Sequence, residues 1–258
     1  MAPAPIPGPL GQPTASAAAP SSPARRPVSI PAVPPSAPVG AATSQRWSGS
    51  AWLLWRNEGN SQALGSAGQL GGAQAGLRID RHLDRPVGTV PLSAYARFTG
   101  ALREPVAPEA ALGIAVHPLS GRVPLMVGIE RRVALDDDGR NAFSILAATG
   151  LNPTPVMGGL IAEGYAQAGM VGLSRTDLFA DGRAVLTLPL DREATTGAGI
   201  SLSGGAQPGL ARLDAGPVFQ TRLPIGSITP RLSVEWRQRI AGGARPGSGL
   251  AVTLAGDF

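Results

Sequence analysis

The side chains of this chain that are best placed to do chemistry are charged ones spaced two residues apart. Arg78 and Asp80, Glu130 and Arg132, Arg212 and Asp214, and Glu235, Arg237 and Arg239 each share one side of a segment read with a period of two. Arg97, Glu163, Arg183, Arg222 and Arg231 take the same phase in similar segments. Alternate residues of a strand point to one face, so these groups are expected to line a common interior. An open lumen of that kind favours anionic or polyhydroxylated polymers, because guanidinium groups offer forked donors to carboxylates and hydroxyls. A narrow lumen instead lets the charges satisfy one another as ion pairs. Both readings stay open at this point.

Other chemistries are less well provided for. His82 and His117 both fall near strand ends, and neither has an adjacent His or Cys, so turn-proximal polar roles are expected rather than metal ligation or catalysis. Serines abound, but no Gly-x-Ser-x-Gly elbow is present, and Ser201 and Ser203 read as ordinary strand residues. Asp136-Asp137-Asp138-Gly139 resembles the start of a calcium loop but lacks the terminal Glu of an EF-hand, so a solvated turn is expected. The chain has no cysteine, which removes disulfides and thiolate sites. No metal, no cofactor and no enzymatic activity are expected.

Twelve candidate strands must position the charged rows. The clearest are the last two, in Arg231 to Phe258. Leu232, Val234, Trp236 and Ile240 alternate with Arg231, Ser233, Glu235, Arg237 and Arg239. After a Gly/Pro turn at Gly242 to Gly249, Leu250, Val252, Leu254, Gly256 and Phe258 alternate with Ala251, Thr253, Ala255 and Asp257. Upstream, strands are expected at Trp47–Arg56, Gly72–His82, Pro91–Thr99, Glu109–His117, Val123–Leu135 and Ala142–Thr149. Four more follow at Gly159–Val171, Thr176–Leu188, Thr196–Gly204 and Leu210–Leu223. With 35 Gly and 26 Pro in 258 residues, a chain of many short strands and turns is the natural reading. The expected fold is all-β: an antiparallel up-and-down transmembrane β-barrel over residues 46–258.

Energetics set which face is which. An Arg on the lipid face near the midplane costs about 2–4 kcal/mol. Arg78, Arg97, Arg132, Arg183, Arg212, Arg231 and Arg237 all share the polar phase of their strands, so that phase should face the lumen. Trp52 and Trp236 are then expected on the apolar face as interfacial aromatics, and the terminal Phe258 as a signal read by the barrel-assembly machinery. No stretch approaches the roughly 18 apolar residues of a transmembrane helix, whereas barrel strands need only about 9–11. The net charge of +5 comes entirely from Arg, without Lys, spread at strand spacing rather than clustered, so nucleic acid is not an expected partner. An even strand count puts both barrel ends on the periplasmic side. The Asn57–Gly71, Asp136–Asn141 and Gly242–Gly249 loops then face outside, and the Asp84–Thr89, Pro118–Arg122 and Leu223–Ser227 turns face the periplasm.

Residues 1–45 form a separate regime. Twelve of the 26 prolines fall in the first 40 positions, with Arg25 and Arg26 the only charged side chains before Arg46. Such a segment cannot offset its ordering entropy by apolar burial, so a disordered Pro/Ala-rich linker is expected. It has no basic n-region before an apolar core, unlike a signal peptide. A barrel must be exported, so either the reading frame continues upstream or the barrel reading fails.

Several stretches carry a family likeness: Ser50-Ala51-Trp52, Gln69 to Gly76, Glu163-Gly164-Tyr165-Ala166-Gln167-Ala168-Gly169, Gly204-Gly205-Ala206-Gln207, and Trp236-Arg237-Gln238-Arg239 through Arg245-Pro246-Gly247-Ser248-Gly249 to Asp257-Phe258. In these, residues from about Trp47 to Phe258 resemble the C-terminal domain of the bacteriophage N-four adsorption protein A family, as found in alphaproteobacterial chains. The resemblance implies an outer-membrane barrel linked to exopolysaccharide export and serving as a phage receptor. Outer-membrane lipid, the barrel-assembly machinery, surface polysaccharide and phage would be its partners. The helical repeats of longer members have no counterpart here, since no 34-residue period is visible. The leading expectation is therefore a non-enzymatic, porin-like outer-membrane barrel. Its alternatives are a soluble or periplasmic β-sandwich binding module and an outer-membrane hydrolase using a wall serine with His82 or His117.

Overall fold

The computed structural model describes residues 46–57, 72–103, 108–136, 141–173 and 176–258, with Arg85 described by its backbone alone. The linker expected at 1–45, most of the Asn57–Gly71 loop and the Asp137-Asp138-Gly139 part of the calcium-loop-like stretch lie outside the described residues.

Strict alternation along the chain gives twelve strands: β1 (Trp47–Arg56), β2 (Gln74–Val87), β3 (Val90–Ala101), β4 (Glu109–Leu119), β5 (Leu125–Ala134), β6 (Ala142–Pro155), β7 (Ile161–Val171), β8 (Asp177–Pro189), β9 (Thr196–Gln207), β10 (Leu210–Arg222), β11 (Arg231–Ala241) and β12 (Gly249–Asp257). Each pairs antiparallel with its sequence neighbours, and β1 pairs with β12 over Ser50↔Asp257 to Arg56↔Ala251, so the sheet closes into a single barrel. Closure leaves no unpaired edge. It also replaces the two packed layers that a sandwich would need. The start of β1 and the end of β12 lie at one end, here called the near end, together with the β2–β3, β4–β5, β6–β7, β8–β9 and β10–β11 turns.

The turns follow their residue types. Pro208-Gly209 joins β9 to β10, with Gly209 at φ +76°; Pro presets the first turn position and Gly takes the left-handed one. β6 runs past the expected Thr149 to Pro155. Its prolines, Pro153 and Pro155, have no N–H to give to the ladder. The pairing with β7 instead shifts register between Leu151 and Thr154, and such an irregularity absorbs a residue that cannot donate to the ladder.

Polarity is reversed relative to a water-soluble fold. Large apolar side chains stand outward and exposed, among them Leu112, Ile114, Ile129 and Ile200 at 51–68% exposure. Inward, Arg56 and Ser93 are fully buried and Asp214 and Glu235 are 1–2% exposed. The inner space is packed unevenly. Tyr95, Ala115, Met126, Ala142, Leu146, Val171 and Phe179 form one apolar cluster between β3 and β8. A cavity occupies the opposite sector, against β1 and β7–β12.

Candidate functional site

The lumen is the site, and its two sectors use charge differently. In the filled sector, alternation on β2–β5 brings Arg78, Asp80, Tyr95, Arg97, Glu109, Glu130 and Arg132 into one network. Arg78 donates to both oxygens of Asp80 at 2.7 Å and to Met126 Sδ at 3.1 Å. Its guanidinium lies 3.9 Å from the Tyr95 ring centroid. The Tyr95 hydroxyl donates to Glu130 Oε2 at 3.0 Å, and Arg97 donates to Glu130 Oε1 at 2.6 Å. Arg132 donates to Glu109 at 2.7 Å, and Arg97 lies 3.5 Å from the same carboxylate. Three guanidiniums thus meet three carboxylates, which is what a buried charge cluster requires to be tolerated.

The hollow sector is built on β1, β2 and β7–β12. Its cavity is lined by Trp52, Gln74, Glu163, Arg183, Arg231 and Thr253 among others, and it encloses about 1160 Å³ when the solvent at its mouths is counted. The reason for the void is legible in the strands. The inward positions of β9 are Gly197, Gly199, Ser201, Ser203 and Gly205, and those of β12 are Gly249, Ala251, Thr253 and Ala255. Glu163 pairs with Arg231 and accepts from Gln220 at 2.9 Å, and Gln220 also donates to Ser233 at 3.1 Å.

Toward the far end, the end away from the chain's C-terminus, two carboxylates each bridge two guanidiniums. Arg212 chelates Asp214 through Nε at 2.6 Å and Nη2 at 3.0 Å, and Arg56 donates to Asp214 Oδ2 at 3.0 Å. Arg237 donates to Glu235 through Nε at 2.8 Å, and Arg183 donates to its other oxygen at 3.2 Å. The β11–β12 loop folds inward over this cluster. Gly247 O accepts from Arg56 at 2.9 Å and from Arg212 at 3.4 Å, and Pro246 O accepts from Arg239 at 3.1 Å.

Of the residues expected to line the lumen, Arg78, Asp80, Arg97, Glu130 and Arg132 come together in the filled sector. Glu163, Arg183, Arg212, Asp214, Arg231, Glu235, Arg237 and Arg239 face the hollow one. Arg222 departs from the expectation. It keeps the inward phase but is the last residue of β10 and is exposed at the near rim. Trp52 is also corrected: it is not an interfacial aromatic but an inward side chain, 5% exposed. Its strand is apolar on both faces, and Leu53 and Trp55 form the outer one. What admits Trp52 to the interior is Gly76, its partner across the β1–β2 ladder. A Cβ at Gly76 would overlap the indole ring.

Trp236, at 47% exposure, and Phe258, at 58%, stand on the outer face. The Phe258 backbone exchanges hydrogen bonds with Gly49 at 2.7 and 2.9 Å, and its ring covers the side-chain position that Gly49 leaves vacant.

Sequence reasoning missed Arg56, Glu109 and Tyr95. Arg56 shares the phase of Trp52 and Leu54, so it alone could have set both the inward face of β1 and the position of Trp52. Tyr95 carries the same signature as Trp52: it sits across the ladder from Gly113, whose Cβ would overlap the phenol.

Near the other end, Ser93 Oγ lies 2.9 Å from His117 Nε2 and Ser48 Oγ lies 3.4 Å from His82 Nε2, with the two imidazole centroids 6.2 Å apart. Ser93 is fully buried, so its hydroxyl offers no approach to a substrate carbonyl. Among the described residues, no three His, Asp or Glu side chains converge on a metal position. The lumen presents hydrogen-bonding and charged groups to its interior space. No protein-family model matches the chain, and no curated protein matches it either.

Proposed function

We propose that the chain is a non-enzymatic outer-membrane β-barrel whose hollow sector takes up acidic or polyhydroxylated groups, in the service of surface polysaccharide export or of phage attachment. The observation that carries this reading is the reversed polarity of a closed barrel. Exposing Leu112, Ile114, Ile129 and Ile200 to water forgoes about 25 cal/mol for each Å² of apolar surface, and a lipid belt removes that penalty. Burying Arg56, Asp214 and Glu235 would be costly in a soluble core. Inside a barrel they pair with one another around a polar space.

The guanidinium-rich lining supports selectivity for carboxylates and hydroxyls. The ion-paired filled sector argues for a restricted passage rather than a wide pore. The polysaccharide and phage assignments rest on the resemblance carried by Trp236-Arg237-Gln238-Arg239 and the other stretches quoted above. Phe258, exposed on the outer face at the chain end, suits recognition by the barrel-assembly machinery.

The test is heat modifiability of the protein recovered from the outer-membrane fraction. The expected result is a band whose migration differs between unheated and boiled samples, since a closed barrel resists detergent until heated. A single unshifted band in the soluble fraction would overturn the reading and leave a soluble binding module in its place.

A further inference from the structure

We infer that the arginine cluster beneath the β11–β12 loop is a binding site for an acidic group, a phosphate or a carboxylate, and that the loop is a displaceable plug whose carbonyls occupy the positions such a ligand would take. The inference rests on the barrel reading above and names the ligand chemistry of its hollow sector.

Five guanidiniums, those of Arg56, Arg183, Arg212, Arg237 and Arg239, surround this end of the cavity. Their bridging carboxylates are Asp214 and Glu235. Asp181, separated from Arg212 only by Gly205 across the ladder, adds a third. Among these described side chains guanidiniums exceed carboxylates by two, whereas those named in the filled sector are equal in number.

Neutral carbonyls stand where the excess would be neutralised. Pro246 O is the acceptor for the Arg239 guanidinium, and Gly247 O serves both Arg56 and Arg212. Buried donors nevertheless go unused, since Arg56 Nε and Trp52 Nε1 have no partner although both residues are at least 95% buried, and Arg183 Nε has none either. An acidic group is the better acceptor, because it takes a guanidinium bidentately and neutralises its charge, which a single carbonyl does not.

The loop's contacts are polar and its glycines give it conformational freedom. Among the described residues, its inward part is held by those arginine contacts, by Ser248 Oγ accepting from Arg239 N at 3.0 Å, and by Ala244 N donating to Ala211 O at 3.2 Å, and Arg245 adds a β-bridge. Ala244, within the loop, is fully buried, and glycines at 242, 243, 247 and 249 flank or interrupt the segment. A ligand that binds the arginines but not the loop-in state shifts the loop outward by its differential affinity.

The test uses the absence of native cysteine. Full-length Ala244→Cys protein, folded in detergent, is labelled with a membrane-impermeant maleimide in inorganic phosphate or citrate and in chloride of equal ionic strength. Labelling should quicken about tenfold in phosphate or citrate, the response of a two-state element that its ligand biases. Arg239→Gln in the same background should raise labelling in chloride, because it releases the loop without a ligand. Equal labelling in all three salts by protein that still shows heat modifiability would overturn the site while leaving the barrel intact. Loss of heat modifiability in the parent protein would instead overturn the barrel reading on which the inference rests. If Ala244→Cys does not fold, intrinsic Trp52 fluorescence in a variant with Trp47, Trp55 and Trp236 replaced by Phe should respond to phosphate but not chloride, and no response would count against the site.

Discussion

The β2–β6 sector and the β7–β12 sector both carry inward rows of Arg and carboxylates, yet one is filled and the other hollow. In the first, inward positions carry Tyr95, Met126 and Leu146, closed off by Phe179, and three guanidiniums meet three carboxylates. In the second, inward Gly, Ser and Ala on β9 and β12 leave the wall thin, and the far-end cluster gathers Arg56, Arg183, Arg212, Arg237 and Arg239 around Asp214 and Glu235. Charge alone therefore does not define a site. The first sector uses its ion pairs as the mortar of a buried wall, and the second has a void against which its charges can act.

The sharpest way to break that comparison is to remove the hub of the balanced network. Glu130→Gln removes the charge of Arg97's 2.6 Å partner, leaving Glu109 at 3.5 Å, and weakens the setting of Arg132; breaking a buried pair costs up to about 3–5 kcal/mol. It should appear as a lower urea midpoint for loss of the heat-modifiable form. An unaltered midpoint would show that the filled sector is not held by charge pairing.

The next effect concerns the glycines that admit inward aromatics. Gly113→Val forces Tyr95 against Arg78, which already lies 3.9 Å from its ring, and overpacking of this kind costs about 1–3 kcal/mol. Gly76→Val should cost less by the same unfolding assay, because Trp52 borders the cavity and has space to rotate into. Equal costs would mean that the cavity gives Trp52 no freedom.

Smaller still is Arg231→Gln. The Arg231 side chain is 27% exposed against 8% for its partner Glu163, and pairs open to solvent contribute about 0–1 kcal/mol. Its unfolding midpoint should stay near the parent's, in contrast to Glu130→Gln.

These contrasts mark what could be read in advance. The expected bounds of β1 match residue for residue and those of most other strands lie close, because a period of two with charge on one phase survives local propensity. β2 and β6, however, run on to Val87 and Pro155, well past the expected His82 and Thr149. Trp52 could not be placed from β1 by hydropathy, since Leu53 and Trp55 make its other face equally apolar. Its orientation depends on Gly76, a contact across the ladder, and on Arg56, whose phase is a sequence signal. The sector-level division was also latent, in the small inward residues of β9 and β12, but only the ladder registers show that these strands border one space. The inward fold of the β11–β12 loop depends on carbonyl contacts to Arg56 on a strand nearly two hundred residues away in sequence, and no local pattern carries that.

The smallest effect lies outside both sectors. In the β8–β9 turn the exposed Asp191 carboxylate accepts from Thr195 N at 2.9 Å, from Thr195 Oγ1 at 2.8 Å and from Thr196 N at 2.7 Å. These bonds, the Thr195 backbone one foremost, hold its pKa below the usual carboxylate value. They also help to fix Ala194 at φ +52°, a left-handed conformation that side chains other than Gly seldom take. A carboxyl whose folded pKa is depressed contributes stability above its unfolded pKa and loses it as pH falls through the folded value. Asp191→Asn should therefore be slightly less stable than the parent near neutrality, and the difference should close as pH is lowered through the acid range below the ordinary Asp pKa. A difference independent of pH would assign the effect to the turn geometry rather than to the charge.

The central claim is that the apolar outer face meets lipid while Trp52 and the charged rows do not. It is tested most directly by tryptophan quenching in vesicles whose acyl chains carry bromine. Two single-tryptophan proteins are compared, one keeping Trp236 on the outer face and one keeping Trp52 inside, with the remaining tryptophans replaced by Phe. Strong quenching of Trp236 with little quenching of Trp52 is the predicted result. Quenching of Trp52 but not of Trp236, or of neither, would contradict the account.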